Sequence, residues 1–98
     1  MTLNEVAKRA HETAKAKGFW DGDAGDVCKK LLLIHAEVSE AVEEFRRGDT
    51  VRMQTELADV LIRTLDLMHY TTCSIEQTVR VKMDLNDNRP HMHGGKRF

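Results

Sequence analysis

Glu37 and Glu40 stand in the run HAEVSEAVEEF, and Glu56 and Asp59 stand in ELADVL. Each pair is spaced i, i+3, so on a helix both members project from one side. Four acids grouped in this way repel one another unless a cation lies between them. Ligation by oxygen alone suits Mg²⁺, with Mn²⁺ as a substitute. A di-iron bundle would need Glu-x-x-His on two helices. Here Glu37 and Glu56 are followed at i+3 by Glu40 and Asp59, and the isolated Asp66-x-x-His69 reads as an exposed helix face. Cys28, Cys73, His91 and His93 lack zinc-motif spacing, and both cysteines read as small buried thiols kept reduced. A lone ExxE is common on solvated helices. Two pairs on consecutive helices, each beside an apolar stripe, put metal binding ahead of a salt-bridged surface. Lys29, Lys30 and Arg63 are the basic residues on those helices that could neutralise some of the charge.

A second group of residues could bind phosphate. Lys82, Asn86 and Arg89 are spaced by 4 and 3, so they share one helical face, and the tail HMHGGKRF continues it with His93, Lys96 and Arg97. A solvated surface is the ordinary use of such a face. Its continuation into Gly-Gly, where backbone N–H groups can approach an anion, favours phosphate. The GxxxxGK[ST] pattern of a P-loop is absent. Acidic metal ligands with a basic edge form a coherent site for a nucleoside triphosphate chelated to Mg²⁺. Trp20, in the loop GFWDGDAG, has two readings: a hydrophobic plug, or a flat surface on which a base stacks.

These groups need helices to position them. Residues 3–17 predict a short helix stopped at Gly18, and residues 18–25 a loop. Residues 26–47 predict a long helix with the stripe Val27, Leu31, Ile34, Val38, Ala41, Val42, Phe45, ended by Gly48. Glu37 lies at the border of that stripe, roughly 80° from its centre, with Glu44 at i+7 nearly in line and Glu40 further round. Asp49 and Thr50 are N-cap candidates for a helix over roughly 50–72. Its stripe runs through Met53, Leu57, Val60, Leu61, Thr64, Leu67 and Met68, with Glu56 again roughly 80° from the centre. A short connection at Gly48-Asp49 makes the two helices antiparallel, with their acidic flanks able to face each other. Ser74 and Gln77 form a capping-box pattern for a last helix to about Asn88, and the tail 90–98 is irregular. Leu32, Ile62 and Leu65, off the main stripes, hint at a second apolar face.

The fold class is therefore all-α: one domain over residues 1–98, a helical bundle of about four helices per protomer, completed by oligomerisation. A chain of 98 residues buries only part of its apolar surface alone. With 41% apolar and 32% charged residues it has the composition of an ordinary globular protein. A net charge of -1 provides no basic field for a nucleic-acid polymer. No stretch approaches a membrane span, and MTLNEVAKRA lacks a secretory apolar core, which points to the cytoplasm.

The order of Glu37-x-x-Glu40, Glu56-x-x-Asp59, Lys82-x3-Asn86-x2-Arg89 and HGGKRF, with KGFWD near the start, resembles the MazG-like all-α nucleoside triphosphate pyrophosphohydrolases. The resemblance covers nearly the whole chain. It departs at Ala36, where many members carry an additional Glu that Glu44 could replace. The resemblance implies a homodimer or homotetramer that hydrolyses a nucleoside triphosphate to the monophosphate and pyrophosphate with Mg²⁺, a nucleotide-pool house-cleaning activity. It implies Glu37, Glu40, Glu56 and Asp59 as metal ligands and Lys82, Asn86 and Arg89 as phosphate or sugar contacts. His93, Lys96 and Arg97 become further substrate contacts, and Trp20 a base-stacking residue. Glu40 or Glu44 would accept the proton of the attacking water. The alternative is a non-catalytic bundle that binds a nucleotide or a partner.

Overall fold

The computed structural model describes residues 1–72 and 74–90. Four α-helices account for most of them: α1 (Leu3–Ala16), α2 (Val27–Arg46), α3 (Thr50–Thr71) and α4 (Ile75–Asp87). There is no strand among the described residues. No described helix is long and apolar enough to cross a membrane.

The helix ends follow from local chemistry. Thr2 Oγ1 accepts from Glu5 N at 3.1 Å, and Glu5 Oε1 accepts from Thr2 N at 3.2 Å, a reciprocal cap on α1. Asp26 Oδ1 accepts from Cys28 N and Lys29 N to start α2. Asp49 Oδ1 accepts from Arg52 N to start α3. Between them Gly48 turns the chain at φ +78°, a left-handed conformation that residues with a Cβ adopt only with strain. The loop after α1 contains a single 3₁₀ turn at Gly22–Gly25.

α4 starts after Ser74, as the sequence predicts, and its first turn gains a second capping partner. Ser74 Oγ accepts from Gln77 N at 3.3 Å, but the remaining free N–H groups are met from α1. Asn4 Oδ1 accepts from Ile75 N at 2.9 Å and Glu76 N at 3.1 Å, and Asn4 Nδ2 donates to Ser74 Oγ at 3.4 Å. A side chain distant in sequence thus caps the helix and fixes it to α1. Asn4→Ala is expected to cost about 1–2 kcal/mol, read from chemical denaturation.

The two long helices α2 and α3 form the antiparallel hairpin, α1 packs on α3, and α4 touches α1 and α3 but not α2. Ala7, Leu65 and Ile75 form the buried centre, with Leu3, Val6, Met68 and Val79 packed against it. Leu65, off the main stripe in sequence, is thus central because α3 needs one apolar face for α2 and another for α1. Leu32 and Ile62 stay exposed, as do Leu31, Val38, Val42 and Phe45 of the α2 stripe and Leu57 and Leu61 of α3. The radius of gyration, 15.8 Å, exceeds the roughly 13 Å of a compact chain of this length. Cys28, expected to be buried, is exposed at the first turn of α2, and Cys73 lies outside the described residues.

Candidate metal centre and adjoining cavity

The hairpin turns the acidic flanks of α2 and α3 toward each other. Glu37, Glu56 and Asp59 each offer a carboxylate oxygen, and these oxygens lie within 4.8 Å of one another. Glu37 and Glu56 are half-buried and Asp59 is exposed. Such a trio of hard oxygen donors has the chemistry that Mg²⁺ or Mn²⁺ takes. The carboxyl of Glu56 titrates above the usual carboxylate range, first because it shares a hydrogen bond with Glu37, then through desolvation and the charges of Glu37, Asp59 and Glu40. Arg63 Nε lies 3.4 Å from Glu37 Oε1 across the helix seam, an ion pair with one of these acids.

Glu40 stands exposed one turn beyond Glu37, outside the trio, and acts on Glu56 through its charge. Glu44 is buried, and its Oε1 accepts from Arg47 Nη1 at 3.1 Å. Lys82 and Asn86 are exposed on the outer end of α4, and Arg89 is exposed two residues past it. That helix makes no contact with α2, so one protomer does not bring this face against the acids of α2. His93, Lys96 and Arg97 lie outside the described residues.

Beside the acids is a cavity of about 670 Å³, within the size range of small-ligand sites. Asp59, Arg63 and Asp66 reach it from α3, Lys29 and Lys30 from α2, and Arg9 from α1. The isolated Asp66-x-x-His69 spacing reads as an exposed helix face, yet Asp66 is only 8% accessible. Its Oδ1 accepts from Trp20 Nε1 at 3.0 Å and lies 2.8 Å from His11 Nδ1. The positions were available in the sequence: Asp59, Arg63 and Asp66 are spaced i, i+4, i+7 and so share a helical face. No family model, curated protein or solved structure matches this chain.

Trp20 sits at the centre of a side-chain cluster. Lys30 Nζ lies 3.9 Å from its ring centroid and donates to the Phe19 carbonyl at 2.8 Å, which satisfies a buried ammonium. The Tyr70 ring is 4.6 Å from Trp20 and the His11 ring 4.9 Å. A Cβ on Gly25 would meet the Trp20 carbonyl oxygen at 2.8 Å, so this glycine lets the loop close over the tryptophan. Trp20 therefore anchors the loop and orients Asp66. Stacking a base on its ring would require Lys30 or Tyr70 to move.

Proposed function

We propose that this protein hydrolyses a nucleoside triphosphate to the monophosphate and pyrophosphate in a Mg²⁺-dependent reaction. The observation that carries the reading is the trio Glu37, Glu56 and Asp59, whose carboxylate oxygens converge with Glu56 titrating high, beside a cavity that also presents cationic side chains. The resemblance to the MazG-like pyrophosphohydrolases supports the same reaction.

In this reading Glu37, Glu56 and Asp59 hold the metal, and Glu40 adds its charge from one turn beyond Glu37. A bound Mg²⁺ supplies charge neutralisation at the phosphates and acidifies water. Glu40, which makes no ion pair among the described residues, accepts the proton of the attacking water. Glu44 is the less suited base because Arg47 already engages its carboxylate. The water oxygen bonds to a phosphorus beside the α–β bridging oxygen, the bond from phosphorus to that oxygen breaks, and pyrophosphate departs. Arg9, Lys29 and Arg63 line the cavity where they can meet the phosphates. Lys82 and Asn86 on α4, and Arg89 just past its end, are exposed and remain open to phosphate. Chromatography of the products from a panel of ribo- and deoxyribonucleoside triphosphates tests the reaction. Equimolar monophosphate and pyrophosphate are expected, and orthophosphate with diphosphate would replace this reading by another.

The same proposal includes a homodimer or homotetramer. Its support is the apolar surface that α2 and α3 leave uncovered, with Leu32 and Phe45 each 63% exposed. Light scattering is expected to give a multiple of the protomer mass, and Phe45→Glu to shift it toward one protomer. A monomeric wild-type protein would favour the alternative, a bundle that docks a different partner on this face.

A further inference from the structure

Asp59, Arg63 and Asp66 line one cavity from one face of α3. Asp59 belongs to the acidic trio at one end. Asp66 is seven residues further along, a rise of about 10 Å. That separation is comparable to the span from the phosphate of a nucleoside monophosphate to the far edge of its base. Arg63 stands between the two, one helical turn from Asp59.

The carboxylate of Asp66 is held from behind. Its Oδ1 accepts from His11 Nδ1 at 2.8 Å and from Trp20 Nε1 at 3.0 Å. Its Oδ2 makes no hydrogen bond among the described residues. No fully buried side-chain oxygen or nitrogen among them lacks a partner, so Oδ2 keeps some exposure, and Asp66 is one of the residues that line the cavity. The cavity walls combine apolar side chains, Val6, Ala10, Phe19 and Ile62, with cationic ones, Arg9, Lys29 and Lys30. A fixed carboxylate oxygen in such walls can accept a hydrogen bond and cannot donate one. It attracts a protruding amino group and repels a carbonyl oxygen in the same place.

We infer that the cavity holds the base of the nucleotide and that Asp66 selects bases with an amino group at the edge remote from the sugar, cytosine or adenine, over their keto counterparts. The inference rests on the nucleotide reading above, but it concerns binding and not hydrolysis. It makes Asp66 a specificity residue, with His11 and Trp20 as positioning residues that aim its free oxygen.

The test is calorimetric binding of nucleoside monophosphates without metal, in matched pairs: CMP with UMP, and AMP with IMP. Within each pair the ligands exchange an amino group for a carbonyl, with the attendant change at the neighbouring ring nitrogen. Wild-type protein is expected to favour the amino member of at least one pair by about tenfold or more. Asp66→Asn is expected to reverse that preference. Its amide oxygen can still accept from His11 and Trp20, which leaves the NH₂ group facing the cavity. Equal wild-type affinities within both pairs would overturn the inference, as would an unchanged preference in a folded Asp66→Asn protein. If that variant does not fold, the wild-type ratios decide alone. Monophosphates have no phosphoanhydride to cleave, so a retained preference without triphosphate hydrolysis would sink the catalytic reading and leave this one standing.

Discussion

Glu56→Gln is expected to abolish Mg²⁺-dependent pyrophosphate release and, in the same protein, to raise the melting temperature measured with EDTA. The two effects have one origin. Glu56 is pushed together with Glu37 and Asp59, and its proton is held above the usual carboxylate range by the hydrogen bond with Glu37, by desolvation and by neighbouring charge. Glutamine keeps a donor for Glu37 and removes the repulsion. It also removes a metal ligand, which should lower the rate by at least about 100-fold, since outer-shell changes alone cost about 10–100-fold. The sign of the pH effect follows from linkage. The folded protein retains the Glu56 proton to a higher pH than the unfolded chain does. Its contribution to stability is therefore full below the unfolded pKa and is lost as pH rises through the folded one. Metal-free wild-type protein should lose stability across that window, and the Glu56→Gln protein should lose less. A variant that loses activity and stability together would make Glu56 a structural residue.

Ile75→Ala should produce the largest loss of stability. Ile75 is 2% exposed and joins Ala7 and Leu65 in the small centre that holds α4 to α1 and α3. Deleting its side chain is expected to cost about 2–4 kcal/mol. For a chain of this length that corresponds to a fall in melting temperature of at least about 8 °C. The remainder of α4 offers little compensation, since every residue from 80 to 90 is exposed. Hydrogen exchange should accelerate in α4 before α2 and α3. Uniform acceleration in all four helices would mean that α4 is no separate unit.

The helix ends were legible because local residues set them. Gly18, Gly48, Asp49 and Ser74 stop and start helices by backbone conformation or capping, and the expected boundaries differ from the observed ones by one residue or less. The convergence of Glu37, Glu56 and Asp59 was also accessible, because i, i+3 spacing and a short antiparallel connection suffice to bring helical flanks together. Glu40 stayed outside the trio because it lies further round α2 than Glu37.

What sequence reading misassigned depended on partners distant in the chain. Asp66 looks like a surface acid until His11 and Trp20, 55 and 46 residues away, supply its hydrogen bonds. Leu65 looks peripheral when α3 is given only one neighbour. The stripe of α2 is a real apolar face, but periodicity does not identify what covers it, and in one protomer most of it is open. Asn4 carries no helix-cap signal for α4 because it lies at the start of a different helix.

The central claim is that the acids at the α2–α3 seam hold the divalent cation. Anomalous diffraction from crystals grown with Mn²⁺ and a non-hydrolysable nucleoside triphosphate analogue tests it most directly. A manganese peak bound by carboxylate oxygens of Glu37, Glu56 and Asp59 is expected, with the phosphates directed into the adjoining cavity. Manganese bound only elsewhere, or no peak with the nucleotide present, would contradict it.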